Sequence, residues 1–394
     1  MGISPRPDAG PRRHPDTILV HAAPRPPARR GYPPDVTSDS QTDSTPSPAE
    51  GPFSGGWRLI AGPTPGPTPK DLAPLAGRTV VVVGYGNQGR AHARNLADSG
   101  VSTVVALRDE SPSRAEAIEA GLEVAAPEEA IPRGDLLLLA VPDRVHGVVD
   151  RTWLVPHAKP GAVIGVLHGH SIHTGELSPR KDLGVVMVAP KGPGTTLRAR
   201  YLDGTGIPAL LSIERDPSGT AREIALAWAR AIGCGRSGLV ETTAAAETAS
   251  DLFGEQAVLC GGVLAMISSA FEVLVERGCP AELAYLECIH ELKQVVDLVY
   301  ARGPSGMRAA ISETAEFGAL EVWRDRDRMI DRTWLRERLE SILAGEFSRR
   351  MADDQSRGDA WLRAARRDAE RQDLESAGRA VRGLMPWLAD GDRG

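Results

Sequence analysis

Four carboxylates set in two pairs are the residues best placed to do chemistry in this chain. Asp251 and Glu255, in the run Asp251-Leu252-Phe253-Gly254-Glu255-Gln256, lie four residues apart. On a helix they share one face, which continues through Val258, Leu259, Gly262 and Met266. Like charges at that spacing repel by a few tenths of a kcal/mol, and burying them costs far more unless a cation neutralises them. Glu287 and Glu291 repeat the spacing, on the side that carries Ala284, Val295 and Leu298. One such pair is most often a capping acid plus a solvated face. Two pairs on apolar faces, with no basic residue at helical spacing beside them, point to a metal. The offered ligands are all hard oxygens, which suits Mg²⁺ or Mn²⁺ and not zinc.

A second chemistry sits upstream. Thr79-Val80-Val81-Val82-Val83 is the β-branched run of a strand buried on both faces. It leads into Gly84-Tyr85-Gly86-Asn87-Gln88-Gly89 and then a helical stretch. A bare GxGxxG is weak, but strand before and helix after make it a dinucleotide fingerprint instead of an ordinary strand–helix turn. Gly84, Tyr85, Gly86, Gln88 and Gly89 are therefore candidate cofactor contacts, joined at later strand ends by Pro142, Asp143 and Gly194. The next strand ends at Arg108-Asp109-Glu110-Ser111-Pro112-Ser113. Arg108, Ser111 and Ser113 suit the 2′-phosphate of NADP, whereas Asp109 and Glu110 suit the ribose hydroxyl of NAD. Both cofactors stay open at this point. His168 and Lys191 each fall just beyond a strand, on the edge where such sheets bind ligands. Either alone reads as a loop residue; together, beside a cofactor fingerprint, they read as catalytic.

The elements that must position these groups divide the chain. Strands over 79–83, 102–107, 135–141, 162–167, 184–189 and 208–213 alternate with helices, an α/β pattern giving a mostly parallel sheet of Rossmann type. From about residue 243 the strand pattern stops, and helices are expected over 252–277, 281–301, 307–317, 332–344, 360–371 and 374–388. Residues 1–74 are rich in Pro, Ser, Thr, Gly and Arg without apolar periodicity, so they read as a disordered extension. The expected division is 1–74 extension, 75–243 dinucleotide-binding domain and 244–390 all-helical metal and substrate domain. The formal net charge is −6 over 394 residues, which argues against a nucleic-acid partner. No uninterrupted apolar run of membrane-spanning length is evident, so no membrane partner is expected. Cys234, Cys260, Cys279 and Cys288 lie in apolar or helical contexts without a CxxC, as reduced thiols of a cytoplasmic protein would. Only five of the 46 basic residues are lysine, which makes Lys191 stand out.

Beyond these motifs the sequence resembles the ketol-acid reductoisomerases of the short-chain class. The likeness rests on the Gly84–Gly89 fingerprint, His168-Gly169 with Ile172-His173, and Val188-Ala189-Pro190-Lys191-Gly192-Pro193-Gly194. It continues through Asp251–Gly262, Glu282-Leu283-Ala284-Tyr285, Glu287 to Lys293, Ser305-Gly306-Met307-Arg308, Ile311-Ser312 and Gly345-Glu346-Phe347. The resemblance implies Asp251 bridging two Mg²⁺ ions, with Glu255, Glu287 and Glu291 completing the site and Glu291 also serving proton transfer. It implies Ser312 holding substrate, with His168 and Lys191 at its polar edge. It further implies a knotted helical domain that embraces its twin in a homodimer or higher oligomer, so that Glu287, Glu291 and Ser312 come from the other subunit. The chain departs from the usual pattern at His170 and Ser171, where an aromatic and an asparagine are common, and at Thr174, where an aromatic is common. The tail near Gln372 lacks the usual His-Pro.

The expected function is conversion of a 2-hydroxy-2-alkyl-3-oxo acid into a 2,3-dihydroxy acid by alkyl migration and NAD(P)H reduction, in branched-chain amino-acid biosynthesis. A paralogue acting on another keto acid is the alternative. A non-catalytic nucleotide-binding regulator is disfavoured, because all four carboxylates are present.

Overall fold

The computed structural model describes residues 52–54 and 56–385. Most of the expected N-terminal extension, and the last residues of the expected terminal helix, lie outside the described residues. Nine strands are described: β1 (Arg58–Ala61), β2 (Thr79–Val83), β3 (Ser102–Ala106), β4 (Glu123–Ala125), β5 (Leu136–Leu139), β6 (Val163–Val166), β7 (Gly184–Pro190), β8 (Ala209–Arg215) and β9 (Leu239–Glu241). They form one sheet in the order β1-β9-β8-β7-β6-β5-β2-β3-β4. Strands β4 to β7 with β2 and β3 run parallel, β8 turns antiparallel to β7, and β1 pairs antiparallel with β9. The order reverses at β2, which lies between β3 and β5, and opens the crevice where such sheets take ligands. Every residue of β5, β6 and β7 is buried, as strands covered on both faces require.

Helices α1 (Asn87–Asp98), α2 (Gly194–Leu202) and α3 (Ala221–Ala231) belong to this half. The fully buried Trp228 of α3 donates its Nε1–H to His92 Nδ1 of α1 at 3.1 Å. Burial pushes the His92 imidazole down to about 3, so it sits neutral with its proton on Nε2. The helical half comprises α4 (Ala244–Gly254), α5 (Gly262–Glu276), α6 (Ala281–Tyr285), α7 (Glu291–Arg308), α8 (Glu313–Arg324) and α9 (Arg332–Leu343). It ends with α10 (Glu346–Ser356), α11 (Ala360–Glu370) and α12 (Asp373–Arg382). Ala249 and Leu252 of α4 pack with Ile342 of α9 and Phe347 of α10 in a small core beside the sheet.

Four expectations need correction. Residues 58–72, placed in the disordered extension, hold β1 and a short Thr68-capped turn of helix whose Asp71 pairs with Arg230 at 3.1 Å. A four-residue edge strand is too short to show alternation in a Pro/Gly-rich setting, and the three-residue β4 and β9 are shorter still. The helix expected over 307–317 is instead α8, because Ser312 caps it by accepting from Ala315 N–H at 3.2 Å; α7 meanwhile runs on through a kink at Gly303, where φ is +70°. The apolar run beyond Asp251, which its composition marks as a buried helix, leaves Leu259 67% exposed and Val258 58%. Finally, Ala244–Glu276 is a 33-residue helical rod long and apolar enough to cross a membrane, of which 11% of the most apolar stretch is buried. Asp251 and Glu255 interrupt the run in the sequence, but the helix continues through them.

Candidate active site

Gly84 follows β2 at φ +100°, and a Cβ there would meet Ala140 O and Val141 Cγ1 at 2.7 Å. Only glycine makes this turn against the β5 edge. Gly89 lies equally close, its notional Cβ 2.6 Å from Gly84 O, whereas one at Gly86 would meet no protein atom within 4 Å. The open face at Gly86 and the first amides of α1, which receive no side-chain cap, fit a pyrophosphate. Gln88 donates to Gly192 O at 2.9 Å and leaves its Oε1 buried and unpartnered. Gly194 N–H donates to Asn87 Oδ1 at 2.5 Å, tying the loop after β7 to the fingerprint. Tyr85 is buried, with the Arg90 guanidinium 5.8 Å from its ring centroid. Pro142 and Asp143 open the loop after β5, with Asp143 3.7 Å from His146. At the β3 end, Arg114 lies 3.5 Å from Asp109 and donates to Leu107 O at 3.2 Å. Asp109 is thereby turned toward solvent, beside the exposed Arg108 and Glu110.

His168 and Lys191, from the edges beyond β6 and β7, meet on a carboxylate that the sequence reading did not select. Glu247 of α4, 1% exposed, lies 2.9 Å from His168 Nδ1 and accepts from Lys191 Nζ at 2.9 Å. It also accepts from Gly169 N–H at 2.9 Å. A Cβ at Gly169 would strike Ala244 O and Thr248 Oγ1, so glycine is what lets this loop reach α4. Lys191 reaches on to Asp251 Oδ1 at 2.8 Å, and Asp251 Oδ2 lies 3.6 Å from His168. Burial alone would push Glu247 upward, but the bonds and charges of His168 and Lys191 hold it down at about 2. Burial opposes the charge on Lys191 and on His168 too. The carboxylates outweigh it, and both cations are held above their usual values.

His168, Glu247 and Asp251 form the one group among the described residues whose ligating atoms all lie within 4.8 Å of one another. Glu255, one turn on, is pushed upward first by burial and then by the Asp251 charge. No ion pair holds it among the described residues. A partly desolvated carboxyl, crowded by another and holding no ion pair, fits a divalent metal at Asp251 and Glu255. Glu255 also opens a π-helical turn, Glu255–Leu259, and Glu287 lies in a second, Leu286–His290, just before Glu291. Such turns re-aim side chains and are common at functional sites. Glu287, Glu291 and Ser312 are exposed and stand outside the Asp251 group within this chain.

Two family models match in tandem. One is the NADPH-binding domain of acetohydroxy acid isomeroreductase, over residues 74–238, and the other the C-terminal domain of ketol-acid reductoisomerase, over residues 245–387. The chain belongs to the ketol-acid reductoisomerase family. A solved structure described as an NADH-preferring ketol-acid reductoisomerase from an uncultured archean is 38% identical, covering 79% of this chain and 96% of its own, with a TM-score of 0.76. A semialdehyde dehydrogenase NAD-binding protein from Cupriavidus necator shares the fold at 21% identity, covering 68% of this chain and 98% of its own, with a TM-score of 0.53. The reductoisomerase family thus joins a nicotinamide-binding α/β domain to a helical one in this chain, as its sequence led one to expect. The residue missed by the sequence reading had a signal: Glu247, Asp251 and Glu255 recur every four residues along one helix face.

Proposed function

We propose that this chain is a Mg²⁺-dependent reductoisomerase that converts a 2-hydroxy-2-alkyl-3-oxo acid of the acetolactate type into the 2,3-dihydroxy acid, in cytoplasmic branched-chain amino-acid biosynthesis. The observation that carries it is the buried Glu247 joining His168 and Lys191 to Asp251, one turn from Glu255. Two Mg²⁺ ions on Asp251 and Glu255, completed by Glu287 and Glu291, would polarise the substrate ketone, and the nicotinamide would supply hydride. The alkyl group moves from C2 to C3 as the C2 hydroxyl loses its proton and becomes a ketone, which the hydride then reduces. Lys191 commits two of its protons to Glu247 and Asp251 and keeps one for a substrate oxygen. His168 commits Nδ1 to Glu247, so its Nε2 is the atom that takes and returns a proton.

Glu287, Glu291 and Ser312 reach the reaction from a second copy, whose helical domain covers the exposed apolar rod 244–276. This places the rod against protein and not lipid. The test is turnover of an acetolactate-type acid with NADPH before and after exhaustive chelation. Activity lost to chelation and restored by Mg²⁺ but not by Zn²⁺ is expected. Turnover that survives chelation rules out the metal role. An enzyme that reduces other keto acids while leaving acetolactate untouched points to the paralogue, a reading favoured by the departures from the family pattern at His170, Ser171 and Thr174.

A further inference from the structure

We propose that His170 is a positioning residue that fixes the ring plane of His168 and ties it to helix α10. The proposal rests on the reductoisomerase reading only in giving His168 a reaction to serve. His170 is 2% exposed, and its ring lies nearly parallel to that of His168, with 9° between the planes and 6.2 Å between centroids. That is an offset-parallel arrangement within the range where aromatic rings attract. Its Nε2 shares a hydrogen bond of 3.0 Å with Ser348 Oγ of α10. Thr174 Oγ1 donates to the His170 carbonyl at 2.9 Å and closes the short turn that carries it.

Ser348 is itself held in place, because its neighbour Phe347 packs into the core shared by α4, α9 and α10. The contacts therefore close a ring. His168 binds Glu247 on α4, α4 packs against α10, α10 binds His170, and His170 faces His168. Nδ1 is fixed by one arm and the ring face by the other, which leaves Nε2 one direction in which to point. The Arg144–Asp359 pair at 3.3 Å makes a second bridge from the loop after β5 to the start of α11. A phenylalanine at position 170 would keep a ring but could not bond Ser348, so the link to α10 is supplied by the imidazole nitrogen.

Three full-length variants separate the arms: His170→Ala removes both, His170→Phe keeps the ring, and Ser348→Ala keeps the imidazole. His170→Ala is expected to lower kcat roughly tenfold through misplacement of His168, with KM for the nicotinamide cofactor within about twofold. His170→Phe should recover most of that loss. Deuterium uptake across 346–356 should rise in all three variants. A His170→Ala enzyme as fast as wild type overturns the proposal, as does a His170→Phe enzyme as slow as His170→Ala, or unchanged uptake in Ser348→Ala. Wild-type enzyme inactive on acetolactate would instead refute the reductoisomerase reading, and the exchange measurement would still decide the link to α10.

Discussion

At the scale of single residues, Glu247 organises the site, because one buried carboxylate accepts from two cations and a backbone amide. Glu247→Gln keeps its shape and removes its charge. Turnover is expected to fall roughly a hundredfold or more, the range typical of losing positioned acid–base groups. The same charge holds His168 above its usual value, so the variant should titrate His168 at lower pH, and the acidic limb of the kcat/KM profile should move down. A variant within threefold of wild type, with an unmoved profile, would deny Glu247 its role. Cofactor choice is also a residue question. No hydrogen bond engages the Ser111 and Ser113 hydroxyls among the described residues, and Arg114 holds Asp109 toward solvent. Free hydroxyls and the Arg108 guanidinium match phosphate oxygens. We therefore expect NADPH to be preferred, and the combined Arg108→Ala, Ser111→Asp, Ser113→Asp variant to lose that preference. Wild-type kcat/KM higher with NADH, as the 38% identical structure is described, would mean that the acids face the ribose.

At the scale of elements, α1 and α3 are joined by a histidine that must stay neutral. His92 is pushed to about 3 from a usual 6.5. Between those values the unfolded chain binds a proton that the folded chain cannot. Its contribution is therefore complete above pH 6.5 and lost progressively as pH falls toward 3. Melting temperature should drop from pH 7.5 to pH 5 by more in wild type than in His92→Gln, which keeps an acceptor for the Trp228 indole. Parallel melting curves for the two proteins would show that His92 is protonated without cost. The π turns are the other element-scale feature. The first begins at Glu255, after the Asp251–Glu255 spacing. The second lies between Glu287 and Glu291, so a strictly α-helical reading of that four-residue spacing misjudges how the two are turned relative to each other.

At the scale of the whole molecule, the helical half leaves Leu259, Val258 and Phe317 largely exposed. Exposed apolar side chains of this kind are what the proposed interface between two copies would cover. Wild type is expected to sediment as a dimer or larger, and Leu259→Arg as a monomer that still binds NADPH through the sheet domain but no longer turns over. A Leu259→Arg protein that stays dimeric and active would place the interface elsewhere.

The sequence alone determined what is local in the chain. The strand–glycine–helix fingerprint, the acids spaced by four and the switch from strands to helices near residue 243 are all written in consecutive residues, where periodicity and steric rules operate directly. Only tertiary structure decided which charges meet. Glu247 lies 79 residues from His168 and 56 from Lys191; its spacing marks the helix face it shares with Asp251 and Glu255, but not the two cations that arrive from the sheet. Strand order brings them there: β6 and β7 are neighbours, so the loops leaving their C-terminal ends converge on the start of α4. The same cause explains β1, four residues whose only reason to be a strand is the open edge of β9.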